Sequence, residues 1–401
     1  FGIYEFAWNR RRFSPWSRAP KELSPRTWAD RIPILGWLLL RREAAFHGRG
    51  FWIRPLMLEL LTAAGFAALY VWEIPQLSLF SHAIELRVPP AGRLLAPLTP
   101  ALAHWPLLSH YILIVLMLMA TFIDIDEKTI PDQITLSGVL IGLVLATVQP
   151  WSLLPGMTFV FPGAVPQTEF LHITSPGKWP AQLNGGLPNY DSLWIGLLCF
   201  WLWCFALLPR TWHRRYGIRR AFRYFVAKIL RDPFSWLTCT VWLIGSLAIA
   251  AVWWFGGIRW TGLFTSLMGM AAGMAIIWTV RLVGQAVLKK EAMGFGDVTL
   301  MAMIGAFMGW QASLIIFFLA PLAGLLVGVI QFLLNRSNVI PYGPFLCLAT
   351  LVTLVYWSPI WNHLLPAFKM GWLIPITMVV CMAVMAVLLC GLQLVKRLIW
   401  R

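Results

Sequence analysis

Two carboxylate-bearing stretches, far apart in the chain, have residue types and positions that could do chemistry together. Asp297 follows Gly294 and Gly296 and stands at the start of an apolar segment, and Asp124 stands with Asp126 at the end of another. An ionised carboxylate at the edge of hydrocarbon is costly, so an acid in such a place is a candidate functional group. If the two acids face each other, like charges at short range cannot both ionise. The pair would then hold one proton and could activate a water molecule.

The composition indicates the elements that must position these acids. Of the 401 residues, 59% are hydrophobic and only 12% are charged, which excludes an ordinary soluble domain. The sequence therefore predicts an all-α polytopic membrane protein with about nine transmembrane helices, and its 24 Trp and 25 Phe supply interfacial anchors. The net charge of +16 is explained by basic residues that fix topology against anionic lipid. No basic segment carries a base-reading motif, so no nucleic-acid partner is expected.

Charge and proline content divide the chain into a basic N-terminal segment and a membrane domain. Residues 1–54 carry eleven Lys or Arg against four acids, which predicts a tethered cytoplasmic segment. Residues 55–401 form the predicted membrane domain. The chain begins with Phe1, and we expect that a first span precedes it in the complete protein. The expected spans are residues 55–74, 103–123, 133–150, 191–209, 236–256, 261–283, 312–334, 341–361 and 371–395.

Counting these spans brings both acids to the same membrane face. The strongest topological signal is the stretch 210–232, with eight cations and one acid, which we place in the cytoplasm. Asp124 and Asp297 both reach that side. The apolar segment 298–310 gives only about 20 Å of helix, so it is short for a span.

Simple structural readings stay open for several of these residues. Gly294 and Gly296 could reach positive φ and admit an extended peptide, or they could form an ordinary turn before a helix. Asp132 follows Pro131 and is expected to cap the next helix. The six cysteines lie in apolar segments without metal-ligand spacing, so they are expected to be buried and no metal site is predicted.

Four separated blocks of the sequence occur together in a known family and in the same order. They are Phe122–Asp132, Gly294–Asp297, Gly305–Trp310 and Ile340–Phe345. With them the chain resembles the type IV prepilin peptidases, membrane aspartic proteases that have a Gly-x-Gly-Asp site. Arg54–Leu60 and Asp30–Pro33 are similar to two further blocks of that family.

The resemblance implies an activity and a set of site residues. Asp124 and Asp297 take the catalytic positions, and Gly294 and Gly296 are assigned to substrate binding. The implied reaction is hydrolysis of the peptide bond after the Gly that ends the short basic leader of a type IV prepilin or a type II secretion pseudopilin. The implied location is the cytoplasmic face of the bacterial inner membrane, with membrane lipid as the other partner.

Two departures from the family change what is expected of cofactors and domains. The family commonly has two Cys-x-x-Cys pairs, thought to bind zinc, where this chain has Ala19–Glu22 and the region Glu43–Phe46. We therefore expect no zinc, and S-adenosylmethionine only if the family's second activity, N-methylation of the product, persists. Residues from about 155 to 258 form an insertion, expected to add two helices.

Two other kinds of function remain as alternatives. The missing cysteines and the insertion are compatible with a catalytically silent assembly partner of a pilus or secretion system. Acids inside membranes also act as proton relays, so a proton-coupled transporter is the other alternative. The sequence shows no obvious repeat or midplane site that would favour a transporter.

Overall fold

In the computed structural model the described residues are 14–17, 19, 25–80, 100–158, 167–177, 179–180, 183, 188–208, 217–289, 293–333 and 341–399. Several residues used in the predictions lie outside these ranges: Pro20 to Glu22, Arg87, Arg93, Lys178, the basic residues 210–215, Lys290 and Ile340. The chain divides into two compact units, one ending at Leu77 and the other beginning at Ser78.

The N-terminal unit contains more regular structure than the tethered segment predicted there. Its core is built from Trp37, Leu40 and Leu56. The carboxylate of Glu59 accepts hydrogen bonds from the backbone N–H of Ile34 at 2.5 Å and from the indole N–H of Trp37 at 2.8 Å. The unit's elements are the 3₁₀ turns Ala29–Arg31 and Arg41–Glu43 and the helices α1 (Leu35–Leu40), α2 (Ala44–His47) and α3 (Ile53–Glu73).

The second unit is a helical bundle with one short hairpin. In chain order its elements are α4 (Pro100–Glu127), α5 (Asp132–Val148), β1 (Pro155–Thr158), β2 (Gln167–Phe170), α6 (Tyr190–Leu207), α7 (Ile218–Arg231), α8 (Pro233–Phe255), α9 (Gly257–Leu288), α10 (Phe295–Leu333), α11 (Gly343–Val355), α12 (Trp357–Lys369) and α13 (Leu373–Ile399). In the described part of the chain, seven helices are long and apolar enough to cross a membrane. The number is eight if α11 and α12 count as one bent span.

The prediction of an all-α polytopic membrane protein is confirmed. The span count is slightly below the predicted nine, and two features account for this. Helix α5 has 17 residues, fewer than the roughly 20 that cross a bilayer without tilt or thinning. The predicted span 341–361 is broken at Tyr356 into two helices that meet at 92°.

Helix α10 is broken at Gly309, where the backbone leaves helical geometry with φ 82° and ψ 171°. The half of the helix before this break is buried from Asp297 to Gly309. Helix α9 packs on it backbone to backbone, because a Cβ at Gly273 would lie 2.5 Å from the carbonyl oxygen of Met301. The hydroxyl of Ser266 also donates to the carbonyl of Ala306 at 2.5 Å. The short segment expected at 298–310 is therefore a half-helix at the centre of the bundle.

The loop that follows β2 is hydrogen-bonded to the residues of α10 directly after Gly309. Strands β1 and β2 pair antiparallel, and the chain continues into residues 171–177. The side-chain amide of Gln311 donates to the carbonyls of His172 and Ser175 at 2.9 and 3.1 Å. The indole N–H of Trp310 donates to the carbonyl of Ile173 at 2.9 Å. Residues 172–175 are thus held against α10 by three hydrogen bonds from its side chains.

The remaining differences from the predictions have simple physical reasons. The predicted insertion holds three helices and not two, because α7 is helical; its alternating cations lower its mean hydropathy, so it did not resemble a span. Of the cysteines, Cys239, Cys381 and Cys390 are exposed and not buried. In a membrane protein an exposed apolar position on a span faces lipid, so exposure of a thiol there carries no penalty.

Candidate active site

Asp124 lies in the last turn of α4 with its side chain turned inward. It is 4% exposed, whereas the neighbouring Ile125 is 47% exposed. The helix ends shortly afterwards, where Lys128 takes a left-handed φ of 55° and its N–H donates to the carbonyl of Asp124 at 2.9 Å. This stop sends the chain through Ile130 and into α5. The sequence around the acid therefore sets both its depth and the position of the connector behind it.

Asp297 lies in the first turn of α10 and is 7% exposed. The backbone N–H of Gly294 donates to its carboxylate, and Arg281 of α9 acts on it electrostatically. Phe295, the residue between the two glycines, packs against α9. Its ring contacts the ring of Trp278 edge-on, with 6.4 Å between the ring centroids. The guanidinium of Arg281 lies 5.7 Å from the centroid of the Phe295 ring. These contacts fix the loop that presents the acid.

The structure brings the two acids together, although 173 residues (297 − 124) separate them in the sequence. The Asp124 and Asp297 side chains are near enough to interact electrostatically. Ile130 links their surroundings, because a Cβ at Gly296 would lie 2.9 Å from the Cβ of Ile130. A Cβ at Gly343 would lie 3.0 Å from the Cδ1 of the same side chain. Three elements thus meet at this point: the α4–α5 connector, the start of α10 and the start of α11.

Gly343 was not assigned to the site by the sequence analysis. Because it has no side chain, the carboxylate of Asp124 can occupy the adjacent space. A Cβ at this position would stand 2.5 Å from Oδ2 of Asp124, closer than real Cβ contacts come. The backbone N–H of Gly343 is also a donor toward the Asp124 carboxylate. Asp124 Oδ2 itself is buried without a hydrogen-bond partner among the described groups. A buried polar atom of this kind is expected where a proton, a water or a substrate group is to be received.

The phenol of Tyr342 lies near enough to Asp297 for the two groups to interact electrostatically. It precedes α11, and burial, followed by the negative charge of Asp297, raises the pKa of Tyr342 to about 12. The phenol is therefore neutral at physiological pH. Both Tyr342 and Gly343 belong to the block Ile340–Phe345 that the sequence analysis quoted, and that block was the available signal for them.

The two glycines of the candidate substrate site do not have the backbone geometry that was expected. Neither Gly294 nor Gly296 has a positive φ. Gly296 is instead required by packing, since any side chain would collide with Ile130. Gly294 is exposed, and a Cβ there would meet only Asp297 Oδ2, at 3.5 Å. Of the two interpretations left open by the sequence, the positive φ is not observed at either glycine, and close approach of Ile130 is the physical reason for glycine at 296.

The other acids of the first motif lie at the edge of the site. Asp126 is half-buried, two residues beyond Asp124. Asp132 is the first residue of α5, but Pro131 takes the N-cap position and no side chain caps the helix. The prediction of an Asp132 cap is therefore wrong, because proline fixes an extended residue one position earlier. Its carboxylate still lies in the first turn, where negative charge is favourable.

The N-terminal unit does not offer the donors that a zinc tetrathiolate needs. It has no cysteine. The Glu43 carboxylate is occupied by Arg26, with nitrogen–oxygen distances of 2.9 and 2.7 Å, and His47 Nε2 lies 3.3 Å from it. Asp30 pairs with Arg42 at 2.7 Å. Within the described residues no cluster of three or more His, Cys, Asp or Glu could hold a metal ion. The carboxylates of Glu43 and Asp30 are thus both paired with arginine guanidiniums.

Fold and site together define a class: a multi-pass membrane protein in which two buried aspartates from separate helices lie close enough to interact. Comparison with known proteins identifies a family that this chain resembles. A model of the "Type IV leader peptidase family" matches residues 111–167 and 235–329, and both Asp124 and Asp297 lie in the matched segments. The predicted resemblance to this family is thereby confirmed over these segments.

Individual relatives agree with the family match. The chain is 34% identical over 131 residues to a "Prepilin leader peptidase/N-methyltransferase" of Aeromonas hydrophila, covering 30% of this chain and 44% of the relative. Its identity is also 34% over 122 residues to one of Pseudomonas aeruginosa (28% and 42%) and over 96 residues to one of Escherichia coli (23% and 43%). The chain therefore spans less than half the length of these relatives. No solved structure matches.

Proposed function

We propose that this protein is a membrane-embedded aspartic endopeptidase that removes the leader of type IV prepilins or type II secretion pseudopilins. The observation that carries the proposal is the electrostatic proximity of the two buried acids Asp124 and Asp297, with Gly343 packed against Asp124. The family match and the names of the relatives support the choice of substrate.

The chemistry follows from two carboxyl groups that share one proton. The ionised carboxylate takes a proton from a water molecule, whose oxygen attacks the scissile carbonyl carbon. The protonated partner donates its proton to the carbonyl oxygen as the tetrahedral intermediate forms. When the carbon–nitrogen bond breaks, the carboxyl group that took the water proton delivers it to the leaving amine. Its partner takes back a proton from a hydroxyl of the intermediate, which becomes the carboxyl group of the product. The proton belongs to the pair, and each step conserves charge within it.

The finer assignments belong to the same proposal. The active site faces the cytoplasm at the bacterial inner membrane, because the basic stretch 210–232 favours that orientation. The substrate approaches the start of α10 as an extended strand, past the exposed Gly294. S-adenosylmethionine is needed only if N-methylation of the product persists, and the absence of the family's cysteines from the N-terminal unit argues against that second activity.

The test is cleavage of a purified prepilin or pseudopilin by the reconstituted protein, followed on a gel and by mass spectrometry. Asp124→Asn and Asp297→Asn keep size and hydrogen bonding but remove the shared-proton chemistry. Each is expected to lower the rate by about 10²–10⁴-fold, the usual contribution of a positioned acid or base. The double variant should lose little more, because the two groups act as a unit.

Asp126→Asn is the matched control, since it removes the same charge two residues away on the same helix end. It should keep most of the wild-type rate. Wild-type cleavage by either Asp124→Asn or Asp297→Asn would end the assignment, provided that each variant is folded in the membrane. A wild-type protein that binds the substrate without cleaving it would instead be the silent assembly partner. Proton uptake coupled to solute movement in vesicles would indicate the transporter.

A further inference from the structure

Helix α7 lies in the stretch between the two segments that the family model matches, and it exposes an apolar stripe. Phe222, Val226 and Leu230 follow one another at intervals of four residues and therefore share a face of the helix. They are 58%, 38% and 60% exposed, respectively. Large side chains arranged in this way on a helix need an apolar partner.

The cations of α7 are distributed on two sides of this stripe. Arg219 and Arg223 lie three or four positions from stripe residues and so border it. Lys228 and Arg231 lie away from the stripe and line a separate cleft of about 480 Å³. Ile218–Arg231 contains five Lys or Arg and no acid. A helix with an apolar face and basic flanks is typical of one that lies in the interface of an anionic bilayer.

The neighbouring helices hold α7 at the end of two membrane-spanning candidates. Helix α8 begins two residues after α7 ends, and Asp232 between them caps α8 by accepting from the backbone N–H of Ser235 at 3.3 Å. The same carboxylate oxygen also accepts from the hydroxyl of Ser235 at 2.9 Å. The indole N–H of Trp236 donates to the carbonyl of Leu230 at 3.1 Å. On the other side, the ring of Phe225 lies 6.3 Å from that of Phe205 near the end of α6. The helix thus lies beside the end of α6 and the start of α8, both of which are long and apolar enough to cross a membrane.

We propose that α7 is a lipid-binding element that docks along an anionic bilayer surface. Phe222, Val226 and Leu230 enter the boundary of the acyl chains, and Arg219 and Arg223 contact the phosphates of anionic phospholipids. Charge complementarity selects this occupant: five cations without an acid favour an anionic surface, and the apolar stripe requires hydrocarbon beneath it. The proposal does not depend on protease activity.

The test is hydrogen exchange of residues 218–231 in the full-length protein, reconstituted into nanodiscs of phosphatidylcholine alone or with phosphatidylglycerol. We expect the anionic lipid to slow exchange of these amides, by about fivefold for each cation that contacts phosphate. Arg219→Gln with Arg223→Gln should remove this effect. Lys228→Gln with Arg231→Gln removes the same charge from the same helix and should leave it in place.

The outcomes separate this proposal from its competitors. Equal exchange rates in the two lipids overturn the proposal. Equal loss of the phosphatidylglycerol effect in both double variants also overturns it, because the effect would then depend on the total charge of α7 and not on Arg219 and Arg223. Loss in the Lys228/Arg231 variant alone also overturns it and points to an anion in the cleft. Should a variant fold poorly, the wild-type protein decides: about 0.5 M salt should abolish the phosphatidylglycerol effect, and persistence at that ionic strength contradicts the proposal.

Discussion

Gly343 shows how a missing side chain contributes to the pocket. The Asp124 carboxylate occupies the volume that a Cβ at 343 would need, and the same backbone supplies a donor to it. Ile130 is wedged against both Gly343 and Gly296, so the two glycines set the spacing of three elements around the acids. Positions of catalytic groups are sensitive to shifts of about 1 Å, which can cost about 10²-fold in rate.

Gly343→Ala is therefore expected to reduce prepilin cleavage about 10²-fold, because the new methyl group displaces the Asp124 carboxylate. Gly65→Ala is the control, since a Cβ there meets nothing within 4 Å. Cleavage rates and membrane expression are measured for both. A Gly343→Ala protein with the wild-type rate would show that Asp124 does not need its present position.

Tyr342 permits a prediction about pH. Its raised pKa, about 12, keeps the phenol protonated from pH 5 to pH 9, so its titration contributes no limb to a rate profile in that range. Tyr342→Phe should then leave the shape of the profile unchanged, whatever it does to the height. The measurement is cleavage rate against pH for both proteins. A limb that disappears in the Phe variant would contradict the prediction.

At this scale the sequence predicted the acids better than their surroundings. Asp124 and Asp297 were visible because a charged residue beside hydrocarbon is an anomaly that needs no structure to detect. Ile130, Tyr342 and Gly343 were not assigned, because their contribution is a distance across three elements. Their catalytic roles, like those of the acids, remain predictions.

Among the elements, the break in α10 most affects the site. Gly309 has φ 82° and ψ 171°, a region that essentially only glycine enters. The half-helix that carries Asp297 can therefore take a direction of its own inside the bundle, independent of residues 310–333. The sequence indicated a short segment here, because Gly305 and Gly309 flank an apolar run, but it could not give the angle.

Gly309→Ala should destabilise the protein by about 1–3 kcal/mol, the cost of forcing a side chain into this backbone region. The strain falls on the carrier of Asp297, so the cleavage rate should drop as well. Thermal unfolding in detergent and cleavage assays measure the two effects, with Gly65→Ala again as the reference. An unchanged unfolding temperature would mean that the break relaxes without cost.

Other elements differ from their sequence patterns for identifiable reasons. Most expected spans begin and end within a few residues of the observed helices, because long apolar runs have few alternatives in a bilayer. Helix α7 was missed because its period is amphipathic and its cations suggested only topology. The bend between α11 and α12 does have a local signal in Pro359, which stands in the first turn of α12 and has no N–H to donate to the carbonyl of Val355, the last residue of α11.

At the scale of the whole molecule, the N-terminal unit has no cysteines like those of the family but contains two ion pairs, Arg26–Glu43 and Arg42–Asp30. The hydrogen bond from Arg26, opposed by burial and helped by the charges of Arg26 and His47, holds the pKa of Glu43 below its ordinary 4.5. For Asp30, burial acts to raise the pKa, but hydrogen bonds from Thr27 and Arg42 outweigh it and the pKa is lowered. A depressed carboxyl pKa stabilises the folded unit above about pH 4.5, and this stability is lost as the pH falls through the folded value.

Acidification below about pH 4 should therefore open the N-terminal unit, with residues 26–47 losing protection from hydrogen exchange. Glu43→Gln removes the negative charge that Arg26 pairs with and should cost about 1.5–3 kcal/mol of local stability at pH 7, the usual contribution of hydrogen bonds to a charged group. A metal chelator should leave protection unchanged in the wild type. Opening by the chelator would show that a metal, and not the ion pairs, holds this unit.

The hydrogen bonds between residues 172–175 and α10 limit how the protein can be shortened. Trp310 and Gln311 have their donors satisfied by carbonyls of this loop, and leaving a buried donor without a partner costs about 1–3 kcal/mol. The stretch left unmatched by the family model, 168–234, is therefore not a removable module in its entirety. An engineered minimal enzyme has to retain the loop through Gly177 and make its excision further along the chain, beyond the last carbonyl that α10 uses.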